Sequence, residues 1–147
     1  MKISISELQE TTKKAILHYG YTKEEAVIIQ DILLYAQLRG NNQGVVKLIG
    51  KGIPKNPQAA EIKIVKETKL SAVLDGGQQM GMLVLKQALE MALTKAEAHG
   101  FAIVGTHNTS TSTGALGYYA NEIANHGFIG FVFAGSPETV ATYGSYE

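Results

Sequence analysis

The sequence predicts an α/β fold: an N-terminal helical segment over residues 1–58, then an α/β segment over 59–147 that runs as a β-hairpin followed by β-α-β-α-β around a mixed sheet. Three observations predict it. Apolar residues recur at helical spacing up to Pro54 and Pro57. At Ile62 the period changes to two. Beyond Gly81, long apolar helical stretches alternate with short apolar runs, the order that produces parallel crossovers. No repeat or low-complexity linker divides the chain, so both segments are expected to form one compact unit.

Element by element, Ser4 with Glu7 has the S-x-x-E form of a capping box, and Ile5, Leu8, Thr12, Ala15 and Ile16 follow at helical spacing until Gly20, predicting a helix over 5–18. Thr22 with Glu25 repeats the device. Ala26, Ile29, Leu33 and Ala36, widened by Ile28 and Ile32, then make a broad stripe, so the second helix is expected to be largely buried before Arg39 and Gly40 end it. A polar turn over 41–44 leads into a short helix over 45–53 interrupted by Gly50 and Gly52. Ile62 and Ile64 alternate with Lys63, and Ser71-Ala72-Val73-Leu74 follows a turn at Lys69 and Leu70, giving the hairpin. Residues 81–99 are apolar on nearly every face and predict a helix laid against a sheet. Phe101-Ala102-Ile103-Val104 reads as a buried strand, 115–126 as a helix, and 128–133 as a second buried strand. That last strand wants cover on both faces, which the tail after it, Ser136 to Glu147, can hardly supply.

Composition removes several classes of function. The chain has 147 residues and no cysteine, which excludes disulfide scaffolds, Cys-ligated metals, iron–sulfur clusters and thiol nucleophiles. Residues 1–9 carry Lys2 but no apolar run of signal length, and no stretch reaches the roughly 20 apolar residues of a membrane span, so a cytoplasmic protein without a membrane partner is expected. Thirteen basic and thirteen acidic side chains cancel, yet residues 1–69 carry +4 and residues 70–147 carry −4, which makes the molecule dipolar. Arg39 is the single arginine and the lysines are dispersed, which argues against nucleic acid. No carboxylate pair or ligand cluster has the spacing of a metal site.

Four histidines are the groups that titrate near neutrality. His18, His99 and His126 each fall at a predicted helix C-terminus, where the negative end of the helix dipole suits an imidazolium. His107, in the loop after the Phe101 strand, is the one that capping does not explain, although no nearby Asp or Glu in the sequence orients it. The loop Thr109-Ser110-Thr111-Ser112-Thr113-Gly114 lies between a strand and a helix. It supports two readings: a cradle for a carboxylate or phosphate, or a cap followed by a solvated loop. Gly76-Gly77-Gln78-Gln79-Met80-Gly81 matches neither a dinucleotide fingerprint nor a P-loop and reads as a tight turn. Lys47, Lys51 and Lys55 would share one face of a helix, either solvated or attractive to an anion.

Three segments together carry a resemblance. Ala36-Gln37-Leu38-Arg39-Gly40-Asn41-Asn42-Gln43-Gly44-Val45, then Val73-Leu74-Asp75-Gly76, then Gly114-Ala115-Leu116-Gly117-Tyr118-Tyr119-Ala120 with Gly127-Phe128-Ile129-Gly130 resemble the malate/L-lactate dehydrogenase family, over essentially the whole chain and less than half the family's usual length. The resemblance implies a non-Rossmann fold, a homodimer, NAD or NADP as cofactor, and hydride transfer to or from a small 2-hydroxy or 2-oxo acid.

It also implies roles for residues. The family's Ser-His-Gly motif falls on Asn42, Gln43 and Gly44, so Gln43 stands where a proton-transferring histidine is expected, and glutamine cannot relay that proton. Lys47 takes the place of a basic residue that holds the substrate carboxylate. Across a one-residue length difference, Ser112 matches a second histidine, with Thr111 and Thr113 beside it facing substrate. Ser136, next to Gly135, matches a serine that contacts the dinucleotide. With both histidines replaced, water or His107 would deliver the proton. Two readings follow: the N-terminal portion of such an enzyme, inactive alone, or a non-catalytic dimerisation or small-anion-binding module derived from the fold.

Overall fold

The structure, a computed structural model, describes residues 3–135. Both capping boxes form. Ser4 Oγ accepts from the Glu7 amide and Thr22 Oγ1 from the Glu25 amide, each at 3.2 Å, and the two glutamates accept in return from the cap amides. They open α1 (Ile5–His18) and α2 (Lys23–Gln37). Ala26, Ile29, Ile32, Leu33 and Ala36 of α2 are 0% exposed. Burying a large aliphatic side chain stabilises by roughly 1.5–3 kcal/mol, against about 1 kcal/mol for a cap, so packing rather than capping holds α2 in place.

The expected helix over 45–53 is cut to one 3₁₀ turn, Val45–Leu48, because the backbone turns left-handed at Gly50 and Gly52. The shared lysine face is lost with it. Lys47 alone lies in the turn, while Lys55 Nζ pairs with Glu25 at 2.7 Å.

Strands β1 (Lys63–Glu67) and β2 (Ser71–Asp75) form the expected antiparallel hairpin, with the register shifting between Ile64 and Lys66. Helix α3 (Gly81–His99) crosses over to β3 (Ile103–His107), which pairs parallel to β2, so the mixed sheet has the order β1-β2-β3. Ala72 and Leu74 are buried beneath α3, while Ser71, Val73 and Asp75 alternate to the other face of the sheet. Helix α4 (Leu116–Asn125) packs beside α2 and α3, and its Tyr118 and Tyr119 join their core.

Two strand expectations are corrected. The strand placed at Phe101 begins at Ile103, and Phe101 and Ile103 are 59% and 62% exposed, since helices cover only one face of the sheet. The stretch predicted as a buried strand over 128–133 makes no ladder. Phe128 and Val132 pack against the core and Gly130 lies against Ile123, but Ile129, Phe131 and Phe133 are 92%, 79% and 85% exposed. The α/β class and the mixed sheet stand; the last β of the expected order is an unpaired segment with one covered side. The three C-terminal histidines lie where helix-end chemistry places them, His18 and His99 as last residues and His126 as the C-cap.

The contact between α2 and the approach to α4 is tight. Gly114 has φ +72°, and a Cβ there would stand 2.5 Å from Ile32 Cγ2. Gly114→Ala is therefore expected to destabilise by about 1–3 kcal/mol, read as a lowered urea midpoint at unchanged slope. Tyr119 donates from its hydroxyl to the Thr113 carbonyl at 2.7 Å, and burial pushes its ionisation well above the usual tyrosine range. Tyr119→Phe leaves that carbonyl unpaired and is expected to cost about 1 kcal/mol by the same measurement.

Candidate functional site

At the C-terminal end of α2 the chain closes tightly. The Gly40 amide donates to Gln37 O at 3.1 Å and the Asn41 amide to Ala36 O at 3.0 Å, the paired bonds of a Schellman closure. Asn41 Oδ1 then accepts from the Gln43 amide at 2.8 Å, and Gln37 Oε1 accepts from the Val45 amide at 3.2 Å. Gly44 sits so close to α2 that a Cβ would come within 2.8 Å of Gln37 Cα. These bonds fix the turn that carries Gln43.

Facing this turn is the approach to α4, and between them lies a cavity of about 410 Å³. Its walls are Tyr35, Ala36 and Arg39 at the end of α2, Asn41 and Gln43 in the turn, and Gly114, Ala115, Leu116 and Gly117. The Arg39 guanidinium lies over the Tyr35 ring, 3.6 Å from its centroid, and donates through Nη1 to Tyr35 O at 3.2 Å. Tyr35 is itself fixed: its hydroxyl donates to Gly117 O at 3.0 Å, and its ring meets Tyr118 edge-on at 5.6 Å. Stacking of this kind contributes about 0.5–1 kcal/mol at exposed sites and chiefly orients the cation. Burial raises the Tyr118 hydroxyl to about 12, with Glu122, Asp31 and Glu90 adding to the effect, so it holds its proton at neutral pH.

The residues singled out from sequence do not gather in one place. Gln43 lines the cavity; its neighbour Asn42 is exposed and accepts from Gln43 Nε2 at 3.3 Å without lining it. Lys47 is half-buried outside the cavity walls, and burial lowers its affinity for a proton. Ser112 and Thr113 lead into Gly114 but turn inward as structural partners: Ser112 Oγ accepts from the Gly114 amide at 3.0 Å and Thr113 O from Tyr119. Thr111 is exposed at φ +53°. Gly135 is exposed, and Ser136 lies outside the described residues.

The Ser/Thr loop does not cap the helix that follows it: α4 starts after its N-cap Ala115 with no side-chain hydrogen bond there, and the loop's backbone carbonyls serve α3 instead. The Gly81 amide donates to Ser110 O at 2.9 Å and the Met82 amide to Ser112 O at 3.2 Å, so the loop closes the start of α3. With those amides engaged, the glycine turn before α3 does not fit a pyrophosphate. Nor do the described residues gather three His, Asp or Glu side chains that could hold a metal.

His107 is exposed at the end of β3, outside the cavity walls. The parallel ladder sets Asp75 opposite it, a neighbour that local spacing could not reveal. The Asp75 carboxylate accepts from the Gly77 amide at 2.8 Å and from Asn108 Nδ2 at 2.6 Å, which hold it below the usual carboxylate range, with His107 and Lys63 assisting. Its hydrogen bonds thus go to the loops rather than to the imidazole. The sequence reading missed Tyr35, Arg39 and Asn41. The available signal was one arginine four residues after a tyrosine on the same helix.

Comparison with known proteins places this geometry. The family profile described as malate/L-lactate dehydrogenase matches residues 3–147. The chain is 34% identical to the malate dehydrogenase of Pyrococcus abyssi over 155 residues, covering 100% of this chain and 42% of the relative. It is 32% identical to the L-sulfolactate dehydrogenase of Methanocaldococcus jannaschii, covering 94% and 42%. The crystal structure of malate dehydrogenase from Entamoeba histolytica superposes with a TM-score of 0.76 at 31% identity, over 86% of this chain and 37% of that one. This chain thus spans about two-fifths of the length of these relatives. No helix among the described residues is long and apolar enough to cross a membrane. With a profile match from residue 3 to residue 147 and a shared fold, the chain belongs to the malate/L-lactate dehydrogenase family.

Proposed function

We propose that this chain is the N-terminal, substrate-side portion of an NAD- or NADP-dependent oxidoreductase of small 2-hydroxy and 2-oxo acids, working in the cytoplasm as a homodimer and inactive without the rest of the enzyme. The observation that carries the reading is the cavity. It is lined by both Gln43 and Gly114, which lie 71 positions apart in sequence, in the two regions where family resemblance expects histidines. A bound nicotinamide supplies the hydride, and this chain's own residues bind and orient the acid. The Gln43 amide offers a hydrogen bond to the substrate oxygen but holds no titratable proton. Ser112, His107 and Lys47 stand outside the cavity walls, so a role for them requires the loops to close when the remaining chain is present. Asn42, Thr111 and Thr113 would move with those loops, while Gly135 and Ser136 would meet the dinucleotide. The bare row of Ile129, Phe131 and Phe133 supports further chain or a second subunit lying against it.

A second reading, a binding module that kept the fold and lost the chemistry, is favoured by one observation: a glutamine occupies the position expected to transfer a proton.

Replacing the matching portion of the Pyrococcus abyssi malate dehydrogenase with residues 3–147 tests both. The chimera is expected to quench NADH fluorescence and to reduce oxaloacetate slowly. Gln43→His in that chimera is expected to raise kcat by about 10²–10⁴. A folded chimera that ignores NADH would overturn the dehydrogenase reading; NADH binding without any gain from histidine would favour the binding module. The 147-residue chain alone is expected to show no turnover.

A further inference from the structure

We infer that Arg39 is the carboxylate anchor of the cavity, taking over the role that resemblance assigns to Lys47; the inference rests on the substrate-side reading above. The cavity, about 410 Å³, is at the small end of the roughly 300–1,000 Å³ typical of ligand pockets and suits a small organic acid. Arg39 reaches it and Lys47 does not. One amino group of the guanidinium, Nη1, is committed to Tyr35 O, which among the described residues leaves the edge formed by Nε and Nη2 open to a planar carboxylate. That edge is oriented in advance, because the guanidinium lies on Tyr35 and Tyr35 is fixed by Gly117 and Tyr118.

Among the described residues no carboxylate pairs with Arg39, and none pairs with Lys47 either, so position at the cavity rather than charge separates the two. An unpaired, pre-oriented guanidinium beside the amides of Asn41 and Gln43 is suited to hold a carboxylate while an amide meets the adjacent oxygen. The ligand class is therefore a small acid with a second oxygen next to its carboxylate, as in 2-oxo and 2-hydroxy acids.

Because Arg39 is the single arginine, its Nε–H resonance is a reporter that needs no assignment. Titrating oxalate, a planar stand-in for a 2-oxo acid, into the isotopically labelled 147-residue chain is expected to shift that resonance saturably. Sulfate is expected to shift it less. Arg39→Lys, which keeps the charge and the stacking partner but loses the fork, is expected to weaken oxalate binding about tenfold, and Lys47→Gln to change it less than twofold. Circular dichroism confirms that both variants fold. An Nε–H signal unmoved by oxalate, or equal affinity in Arg39→Lys, would overturn the assignment, as would a larger loss in Lys47→Gln. The two readings fail separately: oxalate binding that depends on Arg39, beside a chimera that ignores NADH, leaves the anchor standing without the dehydrogenase; the reverse pattern leaves the dehydrogenase without the anchor.

Discussion

Everything in this molecule depends on how closely α2 can be approached. Its inward side is sealed by Ile29, Ile32 and Leu33, none of which retains any exposure, and at two points the neighbouring chain comes so near that a Cβ would collide. Gly44 meets the backbone at Gln37, and Gly114 meets the Ile32 side chain. These two contacts bring the turn after α2 and the approach to α4 to the same end of one helix. Since interiors have organic-crystal density, neither glycine can gain a methyl group without displacing α2 or its neighbour. The cavity lies between the two segments so held, with the small side chain of Ala36 among its walls.

The same close packing explains why the cation at the cavity is arginine held by tyrosine. Tyr35 and Arg39 are four residues apart, one turn along the helix surface, so the guanidinium falls on the ring without help from elsewhere. A lysine three residues beyond the Gln43-Gly44 turn lies in the 3₁₀ turn Val45–Leu48, none of whose residues lines the cavity. Had the helix continued to residue 53, as periodicity suggested, Lys47, Lys51 and Lys55 would have formed a second basic surface. The left-handed glycines at 50 and 52 prevent that, and Glu25 occupies Lys55.

What the sequence disclosed follows from the range of the forces involved. Capping boxes, the α2 stripe, the hairpin and the α3 crossover are written in neighbouring residues and were legible to within a residue or two. Gln43 could be singled out because its motif is local. The cavity could not, because its walls come from residues 35–43 and 114–117, and their meeting is set by glycine contacts that no periodicity records. His107 shows the same limit: it lacks an acidic neighbour in sequence, yet parallel pairing sets Asp75 across from it. The Ser/Thr loop carries a further long-range contact that its sequence does not show: its backbone carbonyls accept from the amides at the start of α3, while α4, which follows it, begins without a side-chain cap.

The stretch after α4 fits this account. Alternation is complete from Phe128 to Phe133: Phe128, Gly130 and Val132 face the core, while Ile129, Phe131 and Phe133 face water. A run with period two has the side-chain order of a strand, and its hydrophobicity made a buried strand the natural expectation. Side-chain order alone does not create a strand, because the ladder needs a partner's backbone, and among the described residues none stands beside it. Burying one face against Ile123 and the core is enough to fix the direction of the segment. The opposite face then carries three large apolar side chains in register, two of them with rings stacked at 6.5 Å, a surface already shaped for whatever element lies against it. Sequence pattern thus sets the face that a strand will present, while the backbone partner decides whether it becomes one.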